Sequence, residues 1–189
     1  IGLNQVDQNH YGGLADLKSA IKDAETMLDF ANRFGYEQSE SLHNEQATSA
    51  AVLKKLADLA KKLQPGDILF LSYSGHGGQI DDQRYYTPDD KGGDETWCLY
   101  DRQLIDDELF DAFLQFKEGV RILVVSDSCH SGTMTRAIGD IEQAIANALA
   151  PFEAQGLLRS KIMKGVDPYG RHFETVYQPI LDRLKKKST

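Results

Sequence analysis

The chain has 189 residues, 41% hydrophobic and 26% charged, which suits one ordinary globular domain of about 100–200 residues and excludes disordered, collagen-like and disulfide-stapled classes. The 21 Lys and Arg against 29 Asp and Glu leave a net charge of −8, the wrong sign for affinity drawn from phosphate neutralisation, so nucleic acid is not an expected partner. The longest apolar runs, residues 68–71 and 122–125, fall far short of the ~20 residues of a membrane helix, and no membrane partner is expected either.

In chain order, residues 1–6 read as the tail of a strand. Leu14, Leu17, Ile21, Ala24, Leu28 and Ala31 then recur at steps of three and four, predicting a helix over 14–34 that Gly35 ends. A second stripe, Val52, Leu53, Leu56, Leu59, Ala60 and Leu63, follows Thr48 as its N-cap and stops at the turn Pro65-Gly66-Asp67. Residues 68–73 and 120–126 are short, nearly continuous apolar runs, the pattern of strands covered on both faces of a parallel sheet. A shorter strand is expected over 96–100, and Asp106 is expected to cap a helix that turns Leu109, Phe110 and Phe113 inward. Beyond residue 136 only helical segments are legible, about 140–149 and 172–185. Strands alternating with helices imply an α/β sheet with its function in loops at the carboxyl ends of the strands.

Two such loops carry reactive residue types: Ser74-Gly75-His76-Gly77-Gly78 after the first central strand, and Asp127-Ser128-Cys129-His130-Ser131-Gly132 after the second. A cysteine peptidase needs a thiolate to attack a carbonyl, an imidazole to protonate the departing amine, and backbone N–H groups to hold the oxyanion. Cys129 is the candidate nucleophile and His76 the acid–base partner. The backbone N–H groups of Gly77 and Cys129 are the candidate oxyanion hole. Cys98, in an apolar strand, reads as packing, and His130 as a neighbour that supports the loop. Zinc is disfavoured because no second ligand pair stands at zinc spacing. The Gly-Gly pairs lack the Gly-Lys-Ser/Thr of a phosphate loop, and no Gly-x-Ser-x-Gly marks a serine hydrolase.

His76 and Cys129 lie 53 residues apart, near the ~50 of caspases, although Asp-Ser-Cys replaces the caspase Gln-Ala-Cys. Ser-Gly-His-Gly-Gly and Asp-Ser-Cys-His-Ser-Gly, with Asp94-Glu95-Thr96-Trp97-Cys98-Leu99-Tyr100-Asp101 and Asp106-Asp107-Glu108-Leu109 between them, closely resemble the metacaspase and orthocaspase branch of the caspase-like cysteine peptidases. The resemblance runs from Ile1 to about Arg136. It implies a caspase-like α/β/α sandwich around a mostly parallel sheet, with residues 1–136 as the catalytic core. Residues 137–189 are then the helical C-terminal part of a large subunit and a linker toward a small subunit, whose strands are not visible in the sequence.

The resemblance further implies an endopeptidase that cleaves peptide or protein substrates after Arg or Lys through a thioacyl intermediate, with autoprocessing. It places Asp127, Asp23 and Ser74 in the pocket for the basic side chain, and paired carboxylates do favour a guanidinium over an acid. No cofactor is required by this chemistry. Some members are activated by calcium, for which Asp94, Asp106 and Asp107 are the candidate oxygen ligands; a further family acid falls near Arg136, which leaves that set short. The alternative function is a catalytically inactive caspase-like adaptor or regulatory module, against which the presence of both Cys129 and His76 argues. The two cysteines form no C-x-x-C pair, and this usage fits a reducing, cytoplasmic setting.

Overall fold

The computed structural model describes residues 1–80, 94–128 and 173–188. Its centre is a parallel pair, β1 (Ile68–Ser74) and β5 (Arg121–Asp127), in register from Ile68↔Arg121 to Ser74↔Asp127. Each strand is displaced by at most one residue from the sequence expectation. The N-terminal segment joins the other edge of β1 as expected of a strand tail, but over fewer residues. Gly2 bridges both Ser74 and His43 in parallel, with Leu3 N–H donating to Ser74 O at 3.0 Å and Ser74 N–H to Ile1 O at 2.9 Å. A second, antiparallel sheet runs β2 (Gly77–Ile80), β3 (Asp94–Cys98), β4 (Gln103–Ile105). This mixed α/β arrangement is the caspase-like class that the motifs imply.

The short helix α1 (Gln8–Tyr11) is capped by Asp7, whose carboxylate accepts from Asn9 N–H at 2.9 Å, and it ends on Gly12 in the left-handed region. The next helix, α2 (Ala20–Arg33), begins six residues later than its apolar periodicity predicts. Tertiary bonds claim the backbone before it: Leu17 N–H donates to Asn4 O at 2.7 Å and Ala15 O accepts from His76, while the Asn4 side chain accepts from Ile21 N–H in the first turn of the helix at 3.2 Å. Its buried face is Ala20, Ala24, Met27 and Ala31. The helix lies so close to the first strand segment that a Cβ on Gly2 would stand 2.7 Å from Ala24 Cβ and 2.8 Å from Ala20 O. Only glycine fits there.

Helix α3 (Ser49–Lys62) has the expected cap, Thr48 accepting from Ala51 N–H at 3.2 Å. Asp101 adds an anion to this helix start, accepting from Ser49 N–H at 2.7 Å and Ser49 Oγ at 2.8 Å, where the helix dipole favours negative charge. In helix α4 (Asp106–Phe113) two expectations are corrected. The capping position is Ile105, and Asp106 instead stands in the first turn, its carboxylate accepting from Asp107 N–H at 3.0 Å. Phe110 faces outward, 54% exposed, while Leu109 and Ala112 are buried and Phe113 is half-buried against the core. Spacings of three and four from Leu109 define the inward face, and Phe110, one step of about 100° away, falls outside it.

The main core joins Leu3, Val52, Leu56, Leu69, Tyr73, Trp97 and Val124. A smaller cluster of Ile80, Ile105, Tyr177 and Leu181 docks the C-terminal helix α5 (Gln178–Ser188), preceded by a π-helical turn over Phe173–Tyr177, onto the antiparallel sheet. The expected helix over 140–149 lies outside the described residues.

Candidate active site

Because β1 and β5 are adjacent and parallel, the loops that leave them emerge at the same sheet edge. The last register pair is Ser74↔Asp127. His76 follows two residues after Ser74, and Cys129 follows two residues after Asp127. Cys129 and His130 themselves lie outside the described residues, as does the side chain of Asp94.

His76 is held at both ends. Its ring Nε2 is 2.8 Å from Ala15 O. A carbonyl oxygen only accepts, so Nε2 carries the proton and the neutral ring has Nδ1 as its basic nitrogen. Its backbone oxygen accepts from the Tyr73 hydroxyl at 2.7 Å and from Cys98 N–H at 2.9 Å. The ring is thereby anchored to a backbone carbonyl, a positioning contact with no side-chain signature in sequence. Between Tyr73 and His76 the chain tucks under the tyrosine: a Cβ on Gly75 would collide with the Tyr73 hydroxyl and stand 2.7 Å from the ring carbon that bears it. That close approach is why glycine precedes the histidine.

Side chains alternate along a strand, so Tyr73 and Ser126 share one face while Ser74 and Asp127 share the other. Phe70, of the same parity as Ser74, meets Phe30 of α2 with ring centroids 5.9 Å apart. The Ser74–Asp127 face is therefore the face that α2 covers. Ser74 Oγ donates to Asp127 Oδ2 at 3.3 Å, and both residues are buried. Asp23 stands in the first turn of α2, the helix whose Phe30 packs on that face. The structure thus joins Ser74 to Asp127 directly and brings Asp23 to the same side of the sheet. Gly77 opens β2 opposite Trp97. Cys98 is fully buried in the main core, in keeping with a packing role.

Asp106 and Asp107 are neighbours in the first turn of α4, and among the described residues no third His, Cys, Asp or Glu completes a metal-binding group with them. Those residues do not by themselves make the oxygen cage that calcium takes.

Comparison with known proteins agrees with this geometry. A family model described as the metacaspase, peptidase C14 domain, matches residues 1–137. The chain belongs to the metacaspase family. Metacaspase-1 of Saccharomyces cerevisiae is 34% identical over 140 residues, which cover 67% of this chain and 32% of the yeast protein. Metacaspase-4 of Arabidopsis thaliana is 28% identical over 184 residues, 87% of this chain and 44% of the plant protein. The chain therefore spans less than half the length of these metacaspases. Among solved structures, protein GSU0716 from Geobacter sulfurreducens is 40% identical, with a TM-score of 0.72 over 96% of this chain and 62% of that one. The matched model is a peptidase C14 domain, which places this metacaspase chain in a family of caspase-like cysteine peptidases.

Two residues of the site were not legible as functional in the sequence. Tyr73 and Trp97 read as strand residues, yet the Tyr73 hydroxyl holds the His76 backbone oxygen and the Trp97 indole N–H holds the Ser126 side-chain hydroxyl. The only sequence signal was their position, one directly before the Ser-Gly-His motif and the other inside the acidic-aromatic motif at residues 94–101.

Proposed function

We propose that this chain is the catalytic core of a cysteine endopeptidase that cleaves after Arg or Lys, using Cys129 and His76. The observation that carries the reading is the Ser74↔Asp127 pairing at the end of adjacent parallel strands, from which the sequence reaches His76 and Cys129 in two steps each. In this mechanism the Cys129 thiolate attacks the scissile carbonyl carbon. The oxyanion of the tetrahedral intermediate accepts from the N–H groups of Gly77 and Cys129. The C–N bond then breaks as the His76 imidazolium gives its Nδ1 proton to the departing amine, leaving a thioacyl enzyme. A water molecule that loses its proton to Nδ1 attacks the thioester and restores Cys129. The Ala15 carbonyl keeps the ring in the tautomer this sequence requires.

Asp127 and Asp23, with Ser74 between the strand ends, supply the negative charge of the pocket for the basic side chain. Ser74 tethers Asp127 and so limits its rotamers. β5 is paired only with β1 among the described residues, and we propose that its outer edge takes a strand from a small subunit, in keeping with the greater length of the metacaspase relatives. The test is a panel of fluorogenic peptides with Arg, Lys or Asp before the scissile bond, run with and without calcium. Cleavage confined to Arg and Lys peptides is expected. Equal rates on Asp and Arg peptides remove the pocket assignment, and no cleavage with no covalent labelling of Cys129 favours the adaptor reading.

A further inference from the structure

Tyr73 and Trp97 are both buried where the two strand-end loops part, and their rings stack with centroids 4.5 Å apart and planes within 7°. Each ring carries one polar handle: one reaches the His76 loop directly, and the other reaches Ser128, just past β5, through Ser126 near the strand's end. The Tyr73 hydroxyl is shared between His76 O at 2.7 Å and Cys98 O at 3.0 Å. Trp97 Nε1–H donates to Ser126 Oγ at 2.9 Å, and Ser126 Oγ is in turn 2.9 Å from Ser128 Oγ. Ser126 is also the register partner of Tyr73 across the parallel pair, and Trp97 is the partner of Gly77 across β2 and β3.

We infer that the Tyr73–Trp97 stack is a bracket that sets the spacing between the His76 loop and the loop leading into Cys129. This rests on the peptidase reading, in which those two loops carry the dyad. The parallel sheet fixes where the loops start but not how far each leans once it has left the ladder. Two stacked aromatic plates, each with only two rotatable bonds and no room to tilt in a close-packed interior, carry that constraint beyond the strand ends. A shift of either ring moves its own hydrogen-bond partner and is resisted by the other ring. Neither residue touches substrate in this scheme; both are positioning residues.

The experiment uses the full chain with Tyr73→Phe, which keeps the stack and removes its hydroxyl, and Ser126→Ala, which removes the acceptor of Trp97. Ser126→Thr and the double variant complete the set. Two readouts are taken: kcat and KM on a peptide amide with Arg before the scissile bond, and the pH dependence of iodoacetamide alkylation at Cys129, mapped by mass spectrometry to separate it from Cys98. Each single variant is expected to lower kcat about tenfold with KM unchanged, because small misplacements of reacting groups are costly in rate. The alkylation midpoint is expected to move up toward the ordinary thiol value of about 8.5 as the thiolate loses its alignment with His76. Ser126→Thr is expected to restore both, and the double variant to lose less than the product of the single losses, since both break one bracket.

Variants that lower only the thermal midpoint, with kcat and the alkylation profile at wild-type values, would overturn the bracket. Fully multiplicative losses in the double variant would overturn it as well. Failure of the peptidase reading looks different: the wild-type chain then cleaves no Arg or Lys peptide, and the alkylation profiles alone judge the bracket.

Discussion

The parallel pair β1–β5 and the antiparallel sheet β2–β3–β4 lie on either side of His76, and they are held together by different means. The first is a mostly apolar ladder with Arg121 at its start and Ser72, Ser74, Ser126 and Asp127 toward its carboxyl end. The second buries polar groups along its length. Thr96 Oγ1 hydrogen-bonds the Gln103 side chain, Gln103 N–H donates to the Tyr177 hydroxyl at 3.0 Å, and that hydroxyl is 2.7 Å from His10 Nε2. Glu108, 2% exposed at its side chain, takes a bidentate grip from Arg102 at 2.7 and 3.0 Å and a longer one from Arg183 of α5 at 3.5 Å. The lesson is a division of labour. One sheet gathers polar atoms at the edge where we propose the chemistry takes place, and the other uses its polar atoms to join the C-terminal helix to the fold.

The sharpest break in that comparison comes at the cysteines. Cys129→Ala is expected to abolish peptide hydrolysis, because it removes the nucleophile at the end of the parallel pair. Cys98→Ala, in the buried core beside the antiparallel sheet, is expected to keep turnover and lose only stability, about 1 kcal/mol for one small buried group. Iodoacetamide mapping decides between them: preferential labelling of Cys98 with activity intact would falsify the assignment. His76→Ala is expected to remove turnover while keeping a cooperative thermal transition, since the backbone bonds of residue 76 to the Tyr73 hydroxyl and Cys98 N–H do not depend on the imidazole. Loss of that transition would make His76 a structural residue.

A smaller effect, and one confined to the parallel pair, is expected from Asp127→Ala. It removes a charge-assisted contact of about 1.5–3 kcal/mol with a guanidinium, a roughly ten- to hundredfold loss of kcat/KM on Arg peptides. If Asp127 only oriented His76, the loss would extend to every substrate, and alkylation of Cys129 by a small electrophile would slow as well. Selectivity profiles of wild type and variant separate the two roles.

On the antiparallel side the expected losses are in stability. Glu108→Ala leaves Arg102 buried without its carboxylate, a cost of about 3 kcal/mol, read as a lower urea midpoint with kcat of the folded protein kept. An unchanged midpoint would show that the Arg102–Glu108–Arg183 contact does not secure α5. The smallest effect is expected at Tyr177, whose phenol is pushed up to about 12, chiefly by burial. With an unfolded value near 10, the fold keeps this phenol neutral while the unfolded chain ionises. Its contribution is complete below pH 10 and is lost as pH rises from 10 toward 12. Tyr177→Phe is expected to flatten stability against pH in that window, and an unaltered slope there would remove the assignment.

The family motifs and their order could be read from the sequence alone because reactive residue types with fixed chemistry are rare and stood at the ends of apolar strands. Strands 68–74 and 121–127 were legible for the same reason: an uninterrupted apolar run has few other stable homes than a covered sheet. Thr48 as a cap was legible because capping is local. The start of α2 was not, since bonds from Asn4 and His76 to the 15–17 segment compete with its helical pattern. β2 and β4 were also illegible, being three or four residues long with polar or glycine content, and existing only because β3 runs between them. Which nitrogen of His76 is basic, which face Asp127 shares with α2, and the stacking of Tyr73 on Trp97 were decided by tertiary structure alone. Each depends on a backbone carbonyl, a strand register or a ring packing from a distant segment, and none of these leaves a residue pattern that a single sequence can display.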